Sequence, residues 1–200
     1  MIALIASEQD LNRETEILNE LFEEGLRFFH VRKPGKSKEE IRAYLNKIHP
    51  EHHKNVVLHQ FHELTAEFQL KGVHLQEQKR RDLNTELERY VEDHRKKGCT
   101  VSSSFHEVEE LEACSTTFDY HLLSPIFTSI SKNGYEGRGF NVQSSQKKIV
   151  GMGGVNVDTI EQIIELGFKG IGVLGGVWNA DDPVQAFRQI RDKHAEIVQG

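Results

Sequence analysis

Residues 149–155, Ile-Val-Gly-Met-Gly-Gly-Val, and residues 170–176, Gly-Ile-Gly-Val-Leu-Gly-Gly, both run from a short apolar stretch into a pair of glycines. The polar segment between them is long enough for an amphipathic helix. Short apolar stretches bounded by glycine are typical of buried strands in a parallel sheet. The two stretches therefore predict consecutive strand–turn–helix units near the end of the chain.

The same unit recurs along the whole sequence. Between the apolar runs lie stretches with apolar residues at helical spacing, and Ser37 with Glu40, Asn156 and Asp182-Pro183 are start signals for three of these helices. The eight apolar runs are Ile2–Ala6, Phe28–Val31, Val56–Leu58, Gly72–Leu75, Thr100–Ser103, Tyr120–Leu123, Ile149–Met152 and Gly170–Leu174.

Eight strand–helix units without a break in composition predict one domain over residues 1–200 with a parallel sheet. Eight such units close naturally into a (β/α)8 TIM barrel, which would be compact at this length because about 250 residues is typical. An open, doubly wound sheet has a similar content of strands and helices. The periodicity alone leaves that alternative open.

Composition excludes several classes of protein. With 200 residues, 37% of them hydrophobic, the chain is long enough to bury a core. The net charge of −6 argues against nucleic-acid binding, which needs a net basic face. No apolar run approaches 18 residues and the first residues lack a basic flank, so we expect neither a membrane span nor a signal peptide. We expect a cytoplasmic protein whose two cysteines are reduced.

Reactive groups of a barrel lie at the carboxyl ends of its strands and in the loops that follow. Glycine pairs after strands 7 and 8 can turn backbone N–H groups toward a phosphate, although they are also typical of tight turns. The residues at these positions are His30, Arg32, Lys33, His59, Gln60, His74, Ser104, His106, the loop of residues 125–139, Gly153, Gly154, Gly175 and Gly176.

Two of these segments favour anion binding. Arg32 can form a two-pronged contact with phosphate, and the neighbouring Lys33 and Lys36 make the local field positive. In the loop after strand 6, hydroxyl groups lie beside Lys132. This composition fits a second anion site and a solvated polar loop equally well.

Eleven histidines are unusual for this length. We interpret the tract of residues 49–53 as solvated and on the far side of the barrel, and assign no set of metal ligands from the sequence. Five others, on or just after strands, are candidates for acid–base chemistry, although most buried histidines only make hydrogen bonds: His30, His59, His74, His106 and His121.

Several segments in order resemble the thiamine phosphate synthase/TenI superfamily, which is a (β/α)8 barrel. Gly72-Val-His-Leu resembles the family's Gly-Val-His-Leu-Gly-Gln, and Asp119-Tyr with Ser124-Pro-Ile-Phe and Ser131-Lys resembles Asp-Tyr…Gly-Pro-Val-Phe-Pro-Thr-Pro-Thr-Lys. Gly151-Met-Gly-Gly-Val resembles Ala-Ile-Gly-Gly-Ile, and Gly170-Ile-Gly-Val-Leu resembles the last strand.

The resemblance implies a place in thiamine biosynthesis. The implied reaction joins hydroxymethylpyrimidine diphosphate to thiazole phosphate and releases pyrophosphate with the help of Mg²⁺; a homodimer is possible. Thiazole phosphate would be held by Gly139, Gly153, Gly154, Gly175 and Gly176. By the same resemblance, the pyrimidine diphosphate would contact Arg32, Ser104, Ser129, Ser131 and Lys132.

The sequence departs from the family at the metal. Gln60 and Lys79 stand where the family has its magnesium carboxylates. Because Mg²⁺ prefers hard oxygen ligands, this departure leaves two alternatives to the synthase open. One is a metal-independent TenI-like thiazole tautomerase, for which residues 134–139 resemble the family loop and His30 and His59 would transfer protons. The other is a barrel that binds thiazole phosphate without catalysis.

Overall fold

The computed structural model describes residues 1–127 and 138–199, and these form a closed barrel of eight parallel strands. Each strand pairs with the next along the chain, and the last strand pairs with the first through Ile2 with Ile171 and Leu4 with Val173. The barrel prediction is confirmed, and the open doubly wound sheet is excluded.

The strands coincide closely with the apolar runs, and β5 extends beyond its run to Phe105. They are β1 Ile2–Ile5, β2 Phe29–Val31, β3 Val56–Leu58, β4 Gly72–Leu75, β5 Thr100–Phe105, β6 Tyr120–Leu123, β7 Ile149–Met152 and β8 Gly170–Val173. The described α-helices are α1 Glu14–Glu23, α2 Lys38–Leu45, α3 Leu64–Phe68, α4 Glu77–Leu83, α5 Leu87–Lys96, α6 Val108–Ala113, α7 Ile160–Glu165, α8 Gly175–Trp178 and α9 Pro183–Gln199. Short 3-10 helices cover Pro50–Asn55 and Asn84–Glu86.

Two apolar layers result from the alternation of side chains along each strand. Leu4, Phe29 and Val73 belong to the large outer core that packs the strands against the helices. Ile5 and Tyr120 belong to a small cluster inside the barrel. Because the outer core holds most of the buried aliphatic side chains, polar residues can occupy part of the interior.

The local signals for helix starts are confirmed at two of three places. Ser37 and Glu40 form a reciprocal capping box at the start of α2. The Asp182 carboxylate accepts a hydrogen bond from the Gln185 backbone N–H before α9. The prediction of Asn156 as the cap of α7 is wrong, because α7 begins at Ile160 and the Asn156 side chain instead accepts from the Asp158 N–H in the preceding turn.

Trp178 connects the last strand of the barrel to the first. It lies in α8, directly after β8, and its indole N–H donates to the Ile5 carbonyl of β1 at 2.8 Å. Its ring also packs edge-on against Phe29 of β2, with ring centroids 6.5 Å apart. One side chain therefore ties the segment after the last strand to the first two strands.

Lys33 does not contribute to a positive surface, contrary to the sequence-based expectation. Its ammonium group is buried and donates to the Glu14 carboxylate at 2.8 Å and to the Ser7 carbonyl at 2.9 Å. The Tyr44 hydroxyl donates to the same carboxylate at 2.9 Å, and burial together with this negative charge raises the pKa of Tyr44. The lysine thus neutralises a buried acid of α1.

Cys99 and Cys114 are both free thiols, as expected. Among the helices of the described part of the chain, none combines the length and the apolar character that crossing a bilayer requires.

We expect Lys33→Met to lower the free energy of unfolding by about 3–5 kcal/mol, because Glu14 would stay buried without its cation. Urea denaturation at pH 7 measures this change. Lys36→Met is the matched control, since Lys36 makes its contacts with Asp10 and Glu40 at the surface. Equal losses in the two variants would contradict the assignment of Lys33 as a structural cation.

Candidate active site

The carboxyl ends of the strands form a polar mouth on the barrel. His30 lies in β2, His59 directly follows β3, and His74 lies in β4, so three adjacent strands each contribute one imidazole. His30 and His74 are fully buried, and His59 is 7% exposed. The structure thus brings together three of the five histidines that the sequence marks as candidates.

A chain of hydrogen bonds crosses the barrel interior. The Nδ1 atom of His30 lies 2.9 Å from Nε2 of His59, and the Nε2 atom of His30 lies 2.8 Å from the hydroxyl of Tyr120. Tyr120 comes from β6, on the opposite wall of the barrel. The two histidines and the tyrosine are therefore held as one unit, in which a proton on one ring nitrogen determines its neighbour's tautomer.

His74 is held separately by two serines of β5. Its Nδ1 atom lies 2.8 Å from the Ser102 hydroxyl, and its Nε2 atom lies 2.6 Å from the Ser104 hydroxyl. The ring is tilted over that of His59, with centroids 4.2 Å apart. Ser104 is thus placed at the mouth as the sequence predicts, and its hydroxyl already contacts an imidazole.

Burial keeps these imidazoles neutral. It lowers the pKa of His30 to about 3. Burial, and to a lesser extent the neighbouring histidines, hold the pKa values of His59 and His74 well below their usual range. Burial also raises the pKa of Tyr120. At pH 7 each ring therefore has one N–H donor and one nitrogen lone pair. Such groups can pass protons or bind a metal ion.

One nitrogen of this group is left without a partner. The Nδ1 atom of His59 is buried and makes no hydrogen bond within residues 1–127 and 138–199. Buried polar atoms in folded proteins are nearly always paired, so an exception indicates a missing water, ion or ligand.

Arg32 lies at the rim, as expected, and it has a protein partner. Its guanidinium donates to the Glu8 carboxylate, and the arginine side chain is 33% exposed. An anionic ligand would therefore compete with Glu8 for Arg32. Arg138 makes a similar contact with Glu107 and also donates to the His106 carbonyl. His106 itself contacts the Ser124 carbonyl through Nδ1 at 2.8 Å.

The glycine turns lie on the other side of the mouth. Gly153 has φ +100° and Gly154 has φ +69°, both in the left-handed region that favours glycine. Helix α8 begins at Gly175, and a Cβ atom on Gly176 would lie 2.6 Å from the Val155 carbonyl oxygen. The loops after β7 and β8 are therefore packed directly against each other, and only glycine at position 176 allows this approach.

The remaining predicted substrate contacts belong to the segment after β6. The amide of Gly139 donates to the Ile126 carbonyl at 3.1 Å, and this glycine is exposed at φ +57°. Ser129, Ser131 and Lys132 lie outside the described residues, so their roles stay predictions.

His121 is not part of the mouth. Its ring packs against Phe105 and Phe118, in the layer between strands and helices, and Nδ1 lies 3.3 Å from the Lys148 carbonyl. The structure therefore separates His121, one of the five candidates for acid–base chemistry, from the histidines of the mouth. Burial lowers its pKa to about 4.

Sequence reasoning missed two residues of the site. The sequence predicts that Tyr120 and Ser102 lie in strands and indicates no role for either residue. The alternation of side chains could have indicated both, because Ser102 shares the interior face of β5 with Ser104, and Tyr120 is the residue paired with Ser102 in β6.

The residues at the magnesium positions do not fit Mg²⁺. Gln60 offers a neutral amide, and Lys79 is an exposed cation. Glu77, the carboxylate nearest in sequence to Lys79, pairs with Arg81 at 2.8 Å and lies 3.6 Å from His106. Mg²⁺ is normally held by carboxylate oxygens and water. The side chains of Gln60 and Lys79 therefore do not suit this ion.

A closed ring of parallel strands with a polar carboxyl-end mouth defines the class of (β/α)8 barrels, which bind their ligands at that end. Comparison with known families identifies the group within this class. The family model described as thiamine monophosphate synthase matches residues 2–177, and the chain belongs to this family.

Individual relatives agree with the family assignment. The thiamine-phosphate synthase of Prochlorococcus marinus is 29% identical over 128 residues, which cover 61% of this chain and 35% of that protein. The synthase of Lactococcus lactis is 24% identical over 200 residues, which cover 94% and 89%. Four of the synthases that the chain matches are covered over only 35% to 50% of their own length.

A solved structure resembles the whole fold. The crystal structure of thiamine phosphate pyrophosphorylase from Bacteroides thetaiotaomicron has a TM-score of 0.74 and 26% sequence identity. The alignment covers 98% of this chain and 97% of the other.

We expect the buried His121 to make folding stability fall in acid. Its folded pKa of about 4 lies below the unfolded value of 6.5, so unfolding below pH 6.5 takes up a proton. Its contribution is complete above pH 6.5 and is lost as the pH falls toward 4. His121→Leu should therefore make the slope of unfolding free energy against pH shallower by at most about 1.4 kcal/mol per pH unit.

Urea denaturation at several pH values between 4 and 7 measures this slope. Phe118→Leu is the control, because it disturbs the same packing but keeps the imidazole. An unchanged slope in His121→Leu would show that this ring is not held neutral by the fold.

Proposed function

We propose that this chain is a transferase of thiamine biosynthesis, which joins hydroxymethylpyrimidine diphosphate to thiazole phosphate and releases pyrophosphate. The observation that carries the proposal is the family match over residues 2–177. The fold likeness to the Bacteroides pyrophosphorylase over 98% of this chain supports it.

The glycine turns would bind the thiazole phosphate. Backbone N–H groups in glycine-rich turns can surround a phosphate without a side chain in the way. The left-handed backbone of Gly153 and Gly154 and the close approach of Gly176 to Val155 bring two such turns together. Gly175, the first residue of α8, would complete this site.

The departing diphosphate is the group that needs electrostatic stabilisation, because negative charge accumulates on it as its bond to the pyrimidine breaks. Arg32 would supply a cation once it exchanges Glu8 for the ligand. Ser104 would supply a hydroxyl that His74 keeps oriented. Ser129, Ser131 and Lys132 are proposed to complete these contacts from the loop after β6.

Mg²⁺ would be the family's usual cofactor for this reaction. The amide of Gln60 and the ammonium of Lys79 do not fit it, so no step of the proposal passes through this ion. The cationic and hydroxyl side chains of the mouth would carry the stabilisation instead.

A second candidate function is the isomerisation of a dihydrothiazole phosphate to its aromatic form. The observation that favours it is the His30–His59 contact of 2.9 Å between two neutral rings at the same mouth. A neutral histidine can accept a proton with one nitrogen while the other nitrogen donates one. Tautomerisation requires such transfers and no metal.

Release of pyrophosphate from the two substrates, measured with Mg²⁺ and with EDTA, tests the synthase. We expect turnover in at least one condition. No turnover in either would overturn the synthase proposal.

Aromatisation of the dihydrothiazole phosphate would then support the tautomerase, unless the activity is unchanged in both His30→Ala and His59→Ala. A rise in melting temperature with thiazole phosphate but no turnover in either assay would indicate a binding protein.

We expect Gly153→Ala to raise KM for thiazole phosphate by about tenfold or more, because the loss of one well-placed contact costs about 1.4 kcal/mol or more. An alanine at φ +100° is strained, and its Cβ would lie 3.0 Å from Pro125. Gly98→Ala is the matched control, since Gly98 has φ +82° and open space around it but precedes β5 at the opposite end. A similar KM in both variants would contradict the glycine site.

A further inference from the structure

The three buried histidines at the mouth resemble a metal site more than a hydrophobic core. One ligand nitrogen from each of His30, His59 and His74 lies within 4.8 Å of the other two. The rings come from three adjacent strands, β2, β3 and β4, whose spacing is set by backbone hydrogen bonds. Interiors of (β/α)8 barrels are usually filled by bulky aliphatic side chains.

The surroundings of the cluster also resemble a metal site. Metal-bound histidines usually make a hydrogen bond with their second ring nitrogen, which fixes the ring. Tyr120 contacts His30 and Ser102 contacts His74 in this way. The third ring differs, because the outward-facing Nδ1 atom of His59 has no hydrogen-bond partner in the described part of the chain.

We propose that His30, His59 and His74 bind one divalent transition-metal ion of the zinc type, with at least one coordination position left for water or a ligand oxygen. Three neutral nitrogen donors suit Zn²⁺, Co²⁺ and Ni²⁺ and do not suit Mg²⁺. Three histidines with an open position are a known arrangement of catalytic zinc. The site does not depend on the proposed transferase activity.

Metal binding requires only a small movement of His30 and His59, and the Ser104 hydroxyl would have to leave the Nε2 atom of His74. At zinc–nitrogen distances of about 2.0–2.1 Å, two ligands at a tetrahedral angle are about 3.3 Å apart. His30 Nδ1 and His59 Nε2 lie 2.9 Å apart, so they would separate by a few tenths of an ångström. Each ring would carry its single proton on the nitrogen that faces away from the ion. Each imidazole would therefore stay neutral.

Co²⁺ titration of the chelator-treated full chain tests the proposal. We expect one equivalent to bind with visible absorption, which added Zn²⁺ removes and millimolar Mg²⁺ does not. His59→Asn should weaken the binding by on the order of 100-fold or more, and Tyr120→Phe by about 10-fold, because outer-shell partners are worth 10- to 100-fold. No stoichiometric binding at 100-fold excess over the protein, or equal binding in His59→Asn, would overturn the proposal.

The second group of possible ligands in the described residues provides the control. His49, Glu51 and His52 lie before β3, at the end of the barrel away from the mouth, and two of them are exposed. A variant with His49→Asn and His52→Asn should bind Co²⁺ as the unmodified chain does. Loss of binding in this variant would assign the metal to the surface group and overturn the proposal.

X-ray absorption on the zinc-loaded control variant gives a result that does not depend on the folding of ligand variants. We expect three imidazole nitrogens at about 2.0–2.1 Å from the ion. A first shell with one imidazole or none would overturn the site even if His59→Asn failed to fold.

Discussion

Closure of the ring between β8 and β1 is the constraint on which the rest of the structure depends. A parallel strand with a free edge leaves its N–H and C=O groups unpaired, and closure satisfies them on both sides of every strand. The pairing of Leu4 with Val173 and the Trp178–Ile5 hydrogen bond both secure this seam. Closure also determines which side chains face inward, and it thereby places His30, His59 and His74 on one side of a common interior.

The mouth combines two kinds of chemistry that separate parts of the ring supply. Strands β2 to β5 contribute neutral imidazoles and hydroxyls, whereas the turns after β7 and β8 contribute backbone amides next to glycine. The first group suits proton transfer or a transition metal, and the second suits a phosphate. Positions 60 and 79 carry glutamine and lysine, so they offer no carboxylate that could hold Mg²⁺ at the mouth. The metal ion proposed at His30, His59 and His74 would supply a positive centre through nitrogen ligands instead.

The fold could be predicted from the sequence because each strand is a compact apolar run with glycine or polar residues at its ends. Histidines at the ends of neighbouring strands could also be expected to meet, since parallel strands expose their carboxyl ends on one side. The contact of Tyr120 with His30 spans 90 positions and depends on how the interior is filled, which no local pattern reveals. The burial of Lys33 could not be predicted because Lys33 lies in the loop after β2 and its partner Glu14 is 19 positions earlier, at the start of α1. Asparagine is a common capping residue, but at Asn156 a turn follows before the helix. Helix α7 therefore begins later than the residue type alone predicts.

Trp178 has a consequence for how this protein can be studied. It is the one tryptophan in the sequence, and its indole lies 7% exposed at the seam, in the helix that begins at Gly175. Its fluorescence therefore reports on a single place, where the hydrogen bond to Ile5 and the contact with Phe29 must both break before the ring opens. Because Trp178 lies in α8, its emission reports on the separation of this helix from the first two strands, without any attached probe.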